Sequence, residues 1–152
     1  MFEQVSKARD NGLSIAFFCG NSVGGKVQLF DSLEGVKGRV FSRCQETNFT
    51  NEETLMGNSS YGVGFGDWQI KKPDHWIFEG TGLKAGDKIP GIIGWEYHGL
   101  PVGDIPGLEI VAGGPVSAPS KELHAAVVYP GPKGNWVFNA GTVWWSEGLS
   151  NP

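Results

Sequence analysis

ARDNGLSIAFFCGN (residues 8–21) sets the first constraint on the fold. Just upstream, Phe2, Val5 and Ala8 fall about one helical turn apart, and Asn11-Gly12 is a helix stop signal. LSIAFFC (13–19) then runs apolar for the length of a strand, the pattern expected of a strand buried on both faces. A helix that leads straight into such a strand reads as one αβ unit of a doubly wound sheet.

Past Gly20-Asn21 the pattern changes. KVQLF (26–30), GRVFSRC (38–44), YGVGFGDWQI (61–70) and HWIFE (75–79) are short, partly alternating, and separated by Gly, Asp, Asn and Pro. IPGIIGWEYH (89–98), LEIVAG (108–113), HAAVVYP (124–130) and NWVFNAG (135–141) continue the series. This is the grammar of antiparallel β-structure. The terminal TVWWSEGLSNP (142–152) predicts a short helix opened by Thr142. The fold class that follows is α+β: a β-rich antiparallel sheet flanked by αβ pieces.

The chain has 152 residues, the size of one domain, and 24 glycines, which suit turns and bulges rather than disorder, since 39% of residues are hydrophobic and 12% aromatic. We expect a single domain over 1–152 that is the C-terminal portion of a longer protein, because an α/β sheet of one or two strands is incomplete. Unpaired strand edges or the missing upstream part would then offer surfaces for a partner, including a second copy. A net charge of −4 without a basic stripe argues against nucleic acid. No apolar run reaches membrane-span length, and the N-terminus has no signal-peptide pattern, so a cytoplasmic location is expected. Cys19 and Cys44 are too few for a disulfide framework and leave a single bridge open. Asn48-Phe-Thr50 and Asn58-Ser-Ser60 match the glycosylation triplet.

Five places carry candidate chemistry. Cys19 ends an apolar strand before a Gly-Asn turn, where a nucleophile is exposed in some hydrolases, but the strand-like KVQLF that follows offers no helix end to activate a thiol. His75 and Glu79 have the spacing of a helical metal pair, yet Pro73 and Gly80-Thr81-Gly82 bracket them. In a strand the two would lie about 13 Å apart, with Trp76 and Phe78 on the opposite, core face. In GIIGWEYHG an extended chain places Gly94, Glu96 and His98 on one face, the last two about 6–7 Å apart, which suits a carboxylate–imidazole pair with space beside Gly94. Trp144 and Trp145 are either core, an interface or a carbohydrate platform. His124 opens an apolar run and reads as a strand-edge residue. GLKAGDKIPG (82–91) and GLPVGDIPG (99–107) share Gly-Asp and Pro-Gly turn signals.

Taken together, AFFCGN (16–21), PDHWIFEGTGL (73–83), GDKIPGIIGWEY (86–97), IPGLEIVAGG (105–114) and VFNAGTVWWSEGLS (137–150) resemble the C-terminal part of the large, or beta, subunit of N,N-dimethylformamidase and its relatives. The resemblance implies a class I glutamine-amidotransferase-like (flavodoxin-like) α/β domain carrying a β-rich insertion, of which this chain is the last portion. It also implies hydrolysis of a small-molecule amide and a mononuclear iron held by tyrosine and glutamate. Glu96 is then the candidate iron-binding carboxylate or base, and His98 or His75 would assist it. Tyr61 and Tyr97 are the tyrosines to hand, although Tyr97 faces away from Glu96 in a regular strand. Two rival expectations stand beside this one: a non-catalytic β-rich binding or oligomerisation module working through Trp144 and Trp145, and a cysteine hydrolase using Cys19.

Overall fold

The computed structural model describes residues 2–20, 22, 27–30, 40–43, 52–59, 61–117 and 123–150. It is a mixed α+β fold dominated by β-sheet, with few and short helices.

Helix α1 (Phe2–Asp10) ends as the sequence predicts. Gly12 adopts a positive φ of 102°, so the Leu13 N–H reaches the Ala8 carbonyl and the Gly12 N–H reaches that of Arg9, the paired bonds of a Schellman cap. The chain then enters β1 (Ile15–Phe17). This strand is not buried on both faces: Phe17 is buried, whereas Ala16 and Phe18 are exposed. The reason is its place at the edge of a six-stranded sheet, where among the described residues it pairs, in parallel, with β10 (Trp136–Asn139) alone.

From β10 the sheet continues antiparallel through β9 (Leu123–Pro130), β8 (Glu109–Ser117), β5 (Phe65–Gln69) and β6 (Lys88–Ile93). Two small ribbons complete the fold. One pairs β2 (Val27–Phe30) with β3 (Val40–Arg43), the other β4 (Tyr61–Val63) with β7 (Glu96–His98).

Burial on both faces belongs to β9, where HAAVVY is buried without interruption. Ala126 and Val128 face a cluster with Trp68, Ile70, Phe78, Ile93, Tyr97 and Val111. Tyr129 faces the other side with Phe17, Leu55, Met56 and Val137, covered by Phe2 and Val5 of α1. The short helix α2 (Glu53–Met56) is stitched there by Arg9, which donates to Thr54 O at 2.9 Å, and by the Tyr129 hydroxyl, which donates to Leu55 O. His124 is therefore not at a solvent edge: it is 1% exposed and its Nε2 lies 3.1 Å from the Asp67 carbonyl.

HWIFE is not a strand. His75 accepts from Ile77 N–H through Nδ1 at 3.3 Å and opens one 3-10 turn, Trp76–Phe78. A three-residue turn does not hold period two, so Phe78 is buried while Trp76 is half exposed. Pro106-Gly107 forms the expected turn, closed by Leu108 N–H to Ile105 O at 3.1 Å. Pro90-Gly91 lies inside β6 instead, where the Gly91 N–H donates to Asp67. The terminal helix, α3 (Glu147–Ser150), starts later than expected, because Thr142 Oγ1 caps the preceding turn by accepting the Trp144 N–H at 3.1 Å. Among the described residues no helix is long and apolar enough to cross a membrane.

Candidate functional site

Strand β7 lies between β4 on one side and residues 141–143 on the other: Tyr97 bridges Thr142, the His98 N–H donates to Gly141 O at 3.0 Å, and the Val143 N–H donates to Glu96 O at 3.3 Å. Within this three-residue strand the expected alternation holds. Tyr97 is fully buried and its ring covers Gly62, its register partner in β4. Glu96 and His98 point the other way, toward the turn that follows β1. There the Glu96 carboxylate lies so close to Gly20 that a Cβ at that position would overlap Oε2. The sequence reading of a carboxylate and an imidazole on one face is thus met at Gly20, a residue 76 positions upstream.

Gly94 does not leave open space beside them. The chain bends at Trp95, so that Gly94 and Glu96 bridge each other rather than continuing one extended run. The gap above Gly94 is filled by Trp144, whose ring atoms would stand 2.5 Å from an added Cβ. Trp144 also packs on Phe65, with centroids 5.4 Å apart. Trp145 stands among Phe18, Trp68 and Phe138, at 5.7, 5.0 and 6.1 Å. Both indoles are half-buried, and each of these contacts fixes a ring face or edge within the fold.

His98 is fully buried, and two asparagines that motif reasoning passed over hold it. Asn139 Nδ2 donates to His98 Nδ1 at 2.8 Å and also meets Asn58 O and Oδ1 at 3.0 and 2.9 Å. Asn58 in turn donates to Gly99 O and Ala125 O at 2.7 and 2.9 Å. Burial pushes the His98 pKa down to about 4, against the smaller opposing pull of the Gly20 backbone. Among the described residues its buried Nε2 makes no hydrogen bond of good geometry, although the Gly20 backbone lies close enough to favour a protonated ring. One signal for Asn139 stands in the sequence: Asn-Ala-Gly is an Asx-turn pattern, and the Gly141 N–H does donate to Asn139 Oδ1 at 3.0 Å. Asn58 entered the reading only as a glycosylation triplet, and its fully buried side chain leaves no room for a glycan. Asn48 lies outside the described residues.

The other candidates lie elsewhere. His75 belongs to a surface group with Trp76, Trp136, Lys72 and Glu109; burial lowers its pKa, Glu109 opposes this and Lys72 adds to it. Cys19 carries a free thiol that packs at the margin of the α1 cluster with its Sγ against Ser22 Oγ, and the segment after it does form the strand β2. Cys44 lies outside the described residues.

Iron held by two tyrosines and a glutamate, the set the resemblance implies, is not assembled by the described side chains. Tyr97 faces the opposite side of β7 from Glu96, His98 Nδ1 is already an acceptor for Asn139, and no three His, Cys, Asp or Glu side chains converge among the described residues. Tyr61 is the backbone register partner of His98. One carboxylate and one imidazole at a backbone turn do not by themselves fit a metal site.

The β-rich α+β fold thus brings a carboxylate and a neutral imidazole to a Gly turn after an edge strand. The chain belongs to the family described as N,N-dimethylformamidase beta subunit-like, C-terminal, whose model matches residues 1–152. No curated protein and no solved structure gives a match.

Proposed function

We propose that this chain is the C-terminal portion of a dimethylformamidase-like amidohydrolase subunit and contributes Glu96 to a site that other parts of the subunit complete. The observation that carries this is the seating of the Glu96 carboxylate on Gly20 beside the buried His98. In hydrolysis of a small amide, Glu96 would take a proton from the attacking water and His98 would face the substrate side of the same turn. The parallel pairing of β1 with β10 supports reading the α1–β1 piece as the end of a class I glutamine-amidotransferase-like α/β domain. The 152 residues form one domain in this reading, and the remainder of the site comes from the larger assembly.

The test measures dimethylamine released from N,N-dimethylformamide by the purified assembly that carries this chain, with ferrous ion supplied. Activity is expected in the native assembly and its loss in the Glu96→Gln variant at unchanged assembly size. A native assembly inactive on small amides, or a Glu96→Gln variant that retains activity, would refute the proposal.

A further inference from the structure

The hydrogen bonds around His98 determine which ring nitrogen carries its proton. Asn139 Oδ1 accepts the Gly141 N–H at 3.0 Å, which fixes the orientation of that amide and turns its NH2 toward Asn58 and His98. Asn58 is fixed in the same way, because its own NH2 is committed to the Gly99 and Ala125 carbonyls, leaving its Oδ1 for Asn139. An N–H donor therefore meets His98 Nδ1 at 2.8 Å, and Nδ1 must present its lone pair. A neutral imidazole has one proton, so it resides on Nε2.

Asn58, His98 and Asn139 are all fully buried, so the Nδ1 lone pair is shielded from bulk solvent. The two asparagines come from distant parts of the chain, before β4 and at the end of β10, and meet only in the folded state. Their side chains satisfy four backbone groups between them: the carbonyls of Asn58, Gly99 and Ala125 and the N–H of Gly141. Rotating either amide by 180° would set like groups against each other at several of these contacts, so the orientation is held from both ends.

We infer that Asn139, backed by Asn58, is a positioning residue that locks His98 as an Nε2–H hydrogen-bond donor toward the Gly20 turn. The consequence for chemistry rests on the amide-hydrolysis reading above. His98 is then not a general base, since its free lone pair is turned inward to Asn139. It offers a neutral donor for an acceptor such as an amide carbonyl oxygen, and among the described residues Nε2 is a buried polar atom with no well-formed hydrogen bond, the Gly20 backbone being its neighbour. Proton abstraction falls to Glu96 on the same face.

The experiment is ring nitrogen NMR on the full chain labelled with 15N-histidine at neutral pH. The His98 resonances are assigned by their loss in His98→Gln. The native chain is expected to show the pattern of a ring protonated at Nε2, and Asn139→Asp, which replaces the donor with a carboxylate of the same shape, is expected to move the proton to Nδ1. A native ring protonated at Nδ1 would overturn the inference whether or not the variant folds. Retention of the Nε2–H pattern in folded Asn139→Asp would overturn the lock. Neither outcome depends on amide hydrolysis, so failure of the proposed function and failure of this inference are read separately.

Discussion

Replacing Trp145 by alanine separates a structural indole from a ligand platform. The ring meets Phe18, Trp68 and Phe138 with centroids 5.7, 5.0 and 6.1 Å away and packs against the larger core cluster. Trp→Ala in a closed core costs about 3–5 kcal/mol, and partial exposure of this ring argues for the lower end. The aromatic pairs lead to a similar size, since each is worth about 0.5–1.5 kcal/mol and Trp145→Ala removes three. The expected loss is thus about 3 kcal/mol, or a fall in melting temperature of about 10 °C for a chain of this length. Urea unfolding at pH 7 measures it, provided the slope with denaturant is unchanged. A loss below about 1 kcal/mol would refute the packing argument and return Trp145 to the ligand-platform reading.

Two further outcomes follow from buried groups. Burial pushes the His124 pKa down to about 4, helped by Lys71 and opposed by the Asp67 carbonyl, so the unfolded state binds the extra proton between that value and 6.5. Stability is complete above pH 6.5 and falls as pH drops toward 4, by about 3 kcal/mol from this residue. Urea midpoints across that window should fall less steeply in His124→Gln, and parallel profiles would contradict the assignment. Gly141→Ala combines a φ of 72° with a Cβ that would overlap the Ala125 carbonyl. Circular dichroism should find it unfolded or destabilised by more than about 3 kcal/mol, whereas a native-like melting curve would show that the turn relaxes.

What can be read from the sequence depends on the distance over which each feature is decided. The α1 cap is legible because Asn11-Gly12 acts within one turn, and Glu96 with His98 because period two holds over three residues of strand. Most of the antiparallel strands are legible for the same reason. LSIAFFC and HAAVVYP are alike as apolar runs; only the sheet order, with β1 at the edge and β9 inside, decides which is buried on both faces. HWIFE reads wrongly as a strand because a single side-chain cap from His75 outweighs alternation over so short a span. The space expected beside Gly94 is lost to Trp144, fifty residues later in the chain. Asn58 and Asn139 are 81 residues apart, and nothing local marks them as partners of one histidine.

That last meeting is one of several made by the four residues Asn139 to Thr142. Asn139 holds His98, and Ala140 gives its N–H to Phe17 O and its carbonyl to Trp68 Nε1. Gly141 admits the Ala125 carbonyl and accepts the His98 N–H, while Thr142 Oγ1 donates to Ile92 O and accepts from Gly94 N–H. Four consecutive residues thus fasten β10 to β1, β5, β6, β7 and β9, and the first of them also orients the ring beside Glu96. Substitutions here act on fold and site together, so a loss of activity alone would say little about Asn139. The protonated nitrogen of His98 is the quantity that tells its positioning role from its structural one.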